Sequence, residues 1–240
     1  MHYNLLFNGC SVTFGAELEG LNRDREYQRL HRFSHLVAEH FGMTYDNISY
    51  PGGSNDRIVK ETIEWFEAGN TCDIAIIQLT MEERTVWYNN KKELKNISQA
   101  NFTLEFNMPK TTDLSCAEYY YYKEFYSDYM GSENYYKNAC FLKNYFDLHN
   151  IKYIFISLDI PPNYNTGWQK AFKYPKITSI KNELLGNRKK NPENFCIDYS
   201  TKFKSNNNKN NISNIFHGVH PSELGHQKIA NYLIEKINQV

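Results

Sequence analysis

The sequence predicts an α/β protein built on a doubly wound parallel sheet. Three observations predict it. Short apolar runs suited to strands recur at 3–9, 73–79 and 152–158, and the stretches between them carry apolar residues at helical spacing. The chain shows neither an internal repeat nor a second apolar core, which is the alternation expected of a sheet with helices on both faces. At 240 residues and 41% hydrophobic composition it has enough apolar surface for one sizeable core, so residues 1–240 are read as a single domain.

The first strand, 3–9, ends at Gly9-Cys10-Ser11, where a hydroxyl and a thiol follow a glycine. Residues 17–26 are polar and read as a loop. A helix over 27–40 aligns Leu30, Phe33, Leu36 and Val37 on one face and stops at Gly42. A short strand over 44–49 leads into Tyr50-Pro-Gly-Gly-Ser-Asn55, a turn whose glycines leave the backbone open to a ligand. Ser54 or Asn55 can cap the next helix, which puts Ile58, Ile63 and Phe66 inward and closes at Gly69. Residues 73–79 are apolar almost throughout, as a strand buried on both faces should be.

No period is sustained over 80–115, which reads as an insertion at the Ser11 edge of the sheet, a lid or substrate loop. Residues 116–149 read as helix interrupted near Gly131. Their tyrosines go right round the helix, so a tyrosine-lined groove and plain packing are both open. After the strand at 152–158 comes a second insertion, 160–194, then a short fifth strand at 195–198 and a low-complexity Asn/Lys tract at 202–211. The loop 217–226 carries His217, His220 and His226. A closing helix over 228–237 follows, with Ile229, Ala230, Leu233 and Ile237 on one face.

Twenty-seven basic residues balance 27 acidic ones, so no net field draws in nucleic acid or an anionic membrane. No stretch has the length of a membrane span or the pattern of a secretion leader, and a cytoplasmic location is expected. Five scattered cysteines fit free thiols better than a disulfide framework.

In a parallel sheet of this kind, Ser11 after strand one, Gly53 after strand two and His220 before the last helix fall on the carboxyl-end rim. Those are the parts of nucleophilic catalysis: a hydroxyl, a base for its proton and backbone N–H groups for an oxyanion. Gly9-Cys-Ser11 near the start, Gly53 after the second strand and His220-Pro-Ser near the end resemble the ordered blocks of the SGNH (GDSL-like) hydrolase superfamily. The resemblance implies a three-layer α/β/α flavodoxin-like fold with a five-stranded parallel sheet, into which 80–115 and 160–194 are inserted. It implies cleavage of a small acyl, for instance acetyl, ester of a carbohydrate or lipid, with neither metal nor organic cofactor. Ser11 would be the nucleophile and His220 the base, with the N–H groups of Ser11 and Gly53 as oxyanion donors. The expected partner is a small-molecule or glycan ester.

Two positions depart from that pattern. The superfamily's Asn donor after strand three falls where this chain reads Thr80-Met-Glu-Glu83, and an ionised carboxylate cannot donate. Asn55, in Gly53-Ser-Asn-Asp56, either projects into the site instead or only caps its helix. Glu82 and Arg84 stand near enough to contact substrate, Arg84 through an anionic group or else merely solvated. The second departure is His217, which occupies the place of the acid three residues before the base. A dyad, a substitute such as Asp198 or a backbone carbonyl, and a degenerate site are all open. Two rival readings stand beside hydrolysis. In one, the histidines at 217, 220 and 226 bind a metal without a supporting cysteine or carboxylate; in the other, an inactive descendant binds a glycan or a protein partner.

Overall fold

The computed structural model describes residues 4–18, 24–88, 94–97, 120–162, 164, 174–180 and 220–239. Strands β1 (Asn4–Asn8), β2 (Thr44–Asn47) and β3 (Ile74–Leu79) alternate with α1 (Ser11–Phe14), α2 (Arg25–His31), α3 (Phe33–Phe41) and α4 (Asn55–Glu67). A hairpin follows, β4 (Thr85–Tyr88) with β5 (Leu94–Ile97), then a π-helical turn (Tyr121–Phe125) and the long α5 (Asp128–Leu148). Strands β6 (Lys152–Ser157) and β7 (Ile177–Ser179) and helix α6 (Glu223–Ile237) complete the described chain.

Five strands form one parallel sheet in the order β2-β1-β3-β6-β7. Alternation along β1 explains its two covers. Leu5 and Phe7 face α3 and α6, joining Phe33, Val37, Ile229 and Leu233 in one buried cluster. Leu6 faces the other way, towards Ile58 of α4 and Tyr135, Leu142 and Phe146 of α5. The result is the expected three-layer α/β/α arrangement. The chain leaves β1 for β2 on one side and returns to β3 on the other. The carboxyl end of β1 is therefore the point where strand order reverses, the crevice position of such sheets.

Three sequence expectations are corrected. The helix read over 27–40 is two helices broken at Arg32, whose ψ of 148° is extended. Phe33 N–H, instead of joining a helical ladder, donates to Nδ1 of His226 at 3.2 Å. The fifth strand is Ile177–Ser179, inside the stretch read as insertion, because its short Ile-Thr-Ser run pairs in register with 155–157 of β6. The stretches 195–198 and 202–211 and Trp168 lie outside the described residues. The 80–115 insertion holds the antiparallel β4–β5 pair. Finally, the helical break falls at Tyr126-Ser127, where Ser127 caps α5, and Gly131 lies inside that helix. Gly131 is there for space: a Cβ on it would come within 2.6 Å of the Tyr126 hydroxyl and 3.1 Å of the Glu82 carbonyl oxygen.

The tyrosines divide. Tyr122, Tyr135 and Tyr136 are buried, two with hydroxyls donating to backbone carbonyls: Tyr122 to Glu83 at 2.7 Å and Tyr136 to Pro161 at 3.1 Å. Tyr121 and Tyr126 instead line a cleft of about 580 Å³. Among the described residues no helix is long and apolar enough to cross a membrane.

Candidate active site

The site begins with how β1 ends. Asn8 is buried and its amide donates to the Ile58 carbonyl (3.0 Å) and to Thr62 Oγ1 (2.8 Å), while its own oxygen accepts from Gly9 N–H at 2.7 Å. Gly9 has no room for a side chain, since a Cβ there would lie 2.8 Å from both Cβ and Oε1 of Gln78. The Gln78 oxygen, at the buried end of β3, gathers Cys10 N–H (3.1 Å), the Cys10 thiol (3.2 Å) and the Thr13 hydroxyl (3.1 Å). These bonds fix the turn and start α1 at Ser11, with Cys10 as the extended residue before it. Ser11 is 7% exposed, and its backbone N–H belongs to a first helical turn, where no intrahelical acceptor exists.

His220 arrives from the far end of the chain, two residues before Ser222 caps α6 by accepting from Gly225 N–H. Its Nε2 stands 2.7 Å from Ser11 Oγ. Its Nδ1 stands 2.8 Å from Oε2 of Glu17, a contact that becomes an ion pair when the ring is protonated and that does not have the geometry of a hydrogen bond. Ser11, His220 and Glu17 thus form a chain of hydroxyl, imidazole and carboxylate. Sequence reading passed over Glu17 as part of a polar loop. The faint signal was Gly15 after the Ser11 turn, because a left-handed residue there (φ 81°) folds the chain back towards the site.

The expected oxyanion donors are differently placed. Gly53 N–H donates to the Tyr50 carbonyl at 2.9 Å and so closes its own turn; a Cβ on Gly53 would lie 3.7 Å from the Gly9 carbonyl, so the turn is close to the Ser11 loop. Asn55 does not cap α4, a task Ser54 performs, and its amide meets the backbone after strand three. Its Nδ2 donates to the Thr80 carbonyl at 3.1 Å and its Oδ1 accepts from Thr80 N–H at 2.8 Å. The position after strand three is therefore filled by a backbone that Asn55 holds.

Arg84 reaches the same neighbourhood. Burial raises the Cys10 thiol, but the Arg84 charge, the Val12 N–H and hydrogen bonds with Thr80 and Gln78 together outweigh it, and the thiol lies below its ordinary range. Arg84 and Glu82 both line the 580 Å³ cleft with Tyr121 and Tyr126. Glu83, beside them, is buried, and that burial raises its carboxyl despite the Arg84 charge. His217 and Asp198 lie outside the described residues. His226 is fully buried and accepts from Phe33 N–H, and burial together with the nearby His220 and Arg32 lowers it to about 3. Accepting at Nδ1 puts the neutral ring's proton on Nε2, so neither nitrogen offers a lone pair to a metal; among the described residues no group of three His, Cys, Asp or Glu could hold a metal ion.

No family model matches the sequence, and no curated protein matches it. Solved structures do. A protein described as lipolytic, of the G-D-S-L family from Desulfitobacterium hafniense DCB-2, superposes with a TM-score of 0.52 at 11% identity, covering 98% of this chain and 99% of that one. The chain has an SGNH-hydrolase-like fold. An acetyl xylan esterase from the rumen bacterium Butyrivibrio proteoclasticus superposes with a TM-score of 0.53, also at 11% identity, across 100% of this chain and 64% of that one. At such identities the likeness establishes the SGNH architecture, and chemistry has to be argued from the residues.

Proposed function

We propose that the protein is a serine ester hydrolase acting on a small acyl ester of a carbohydrate or lipid. The observation that carries this reading is the 2.7 Å approach of Ser11 Oγ to His220 Nε2 at the switch point of the sheet. For Nε2 to accept the Ser11 proton, the neutral ring must carry its own proton on Nδ1. Ser11 Oγ then attacks the acyl carbon while its proton passes to Nε2. The imidazolium returns that proton to the departing alcohol, leaving an acyl group on Ser11. Water, deprotonated by the same ring, releases the acid and restores the hydroxyl. The Ser11 backbone N–H is the donor available to the developing oxyanion. The substrate class is supported by the acetyl xylan esterase that shares the fold.

A second reading, binding of a glycan or protein partner without turnover, is favoured by one observation: Gly53 N–H already donates to the Tyr50 carbonyl, and Asn55 Nδ2 already makes one bond, to the Thr80 carbonyl. Hydrolysis of p-nitrophenyl acetate by the purified protein and by Ser11→Ala separates the two. Turnover lost in Ser11→Ala supports the hydrolase; no turnover, or equal turnover in both proteins, contradicts it.

A further inference from the structure

The histidine at position 217 brings no carboxylate to orient the base. We infer that Glu17 is the positioning residue of His220, so that the acid is delivered with the nucleophile and not with the base; this rests on the hydrolase reading above. Three features carry it. The first is contact, Glu17 Oε2 lying 2.8 Å from His220 Nδ1 while the other ring nitrogen faces Ser11.

The second is how tightly this geometry is specified. Helix α1 ends through Gly15 at φ 81°, with Gly15 N–H and Ala16 N–H both donating to the Ser11 carbonyl, at 3.1 and 2.9 Å. Buried Gln28 donates to the Gly15 carbonyl at 2.9 Å, and Leu18 is buried just beyond. Ser11 and Glu17 are thus the two ends of one braced turn. The third is Glu17's own backbone. Its φ of 77° is a left-handed conformation that non-glycine side chains adopt at a cost, and here it aims the carboxylate at the ring. Glycine would suit that backbone better, but would supply no carboxylate.

A small rotation that aligns the Glu17 carboxylate with the ring lets it hold His220 in the Nδ1–H form, leaving Nε2 to accept the Ser11 proton, and the nearby negative charge offsets that of the imidazolium. Glu17 would also make an acid at position 217 dispensable, which accounts for the histidine there.

The backbone preference supplies a clean variant. Glu17→Gly should fold with Tm within about 4 °C of the parent. Its kcat for p-nitrophenyl acetate should fall by about 10²- to 10⁴-fold with KM changed by less than about threefold, as expected when an imidazole loses its orienting carboxylate. Added formate, small enough to enter the space left beside Nδ1, should restore part of kcat. Nitrogen-15 NMR of His220 should show Nδ1–H in the parent and a shift towards Nε2–H in Glu17→Gly and in Glu17→Gln. Unchanged kcat together with an unchanged tautomer would overturn the inference, as would a fall in kcat with neither formate rescue nor a change of tautomer. If the parent protein hydrolyses no ester, it is the hydrolase reading that fails, and the tautomer comparison still decides the role of Glu17.

Discussion

Two turns meet at the carboxyl rim of the sheet, and they treat their polar groups in opposite ways. In residues 8–18 the buried bonds of Asn8 and Gln78 brace the backbone, leaving the Ser11 hydroxyl and the Glu17 carboxylate turned towards His220. In residues 50–55 polar groups are bonded inward, Gly53 N–H to Tyr50, and Asn55 through Oδ1 and one Nδ2 hydrogen to Thr80. The difference shows which part of the chemistry is ready before substrate arrives. Proton transfer is pre-set by geometry. On the hydrolase reading proposed above, the Ser11 N–H would be the first oxyanion donor, and such preorganised donors are commonly the larger share of an enzyme's rate enhancement.

The comparison breaks most visibly at the first turn's partner. His220→Ala should lower kcat by about 10⁴- to 10⁶-fold, the loss seen when one member of a serine relay is removed, while the fold, read by circular dichroism, is unaffected. A change of less than tenfold would mean that the braced turn is not where the proton moves.

The second turn answers through stability. Asn55→Ala strips two hydrogen bonds and leaves the buried Thr80 N–H and carbonyl unpaired, which should cost about 2–4 kcal/mol in urea denaturation. The loss in kcat, measured where the variant is still folded, should stay below about tenfold, because less than 1.4 kcal/mol of barrier is then at stake. A variant of parental stability with a hundredfold lower kcat would make Asn55 an oxyanion donor after all.

Smaller effects test the bracing. Gly9→Ala places a methyl group 2.8 Å from Gln78 and should destabilise by about 1–3 kcal/mol, with activity falling because the clash displaces the Ser11 turn. His226, packed against Phe33, gives the most specific signal. Its folded value of about 3 lies below its ordinary 6.5, so between those limits the unfolded chain binds a proton that the folded protein refuses. Stability is therefore undiminished above about pH 6.5 and falls by about 1.4 kcal/mol per pH unit as the pH drops towards 3. Urea titrations of parent and His226→Gln at pH 7 and pH 5 should differ by that slope.

How much of this was legible in the sequence follows from whether a signal is local. The apolar runs of β1, β3 and β6 announced a parallel sheet because strands buried on both faces tolerate little else. The nearness of Ser11 to His220 was legible because both flank ends of elements that the topology brings together. The three-residue β7 was not legible, since its pairing with β6 is a tertiary choice that leaves no period. The break at Arg32 was hidden for the same reason: it depends on a bond to His226, 193 positions away. Glu17 was missed because an acidic residue in a polar stretch looks like solvated surface, and only the left-handed backbone at Gly15 and Glu17 turns it towards the ring. Asn55 was seen as a donor or a cap, yet its partners on Thr80 come from a different strand end.

The central claim is that Ser11 is a nucleophile activated by His220. It is tested most directly by incubating the protein with a fluorophosphonate and locating the adduct by peptide mass spectrometry. The account predicts one adduct, on Ser11, formed much more slowly in His220→Ala and absent in Ser11→Ala. An adduct on another residue, or labelling of Ser11 at the same rate without His220, would contradict it.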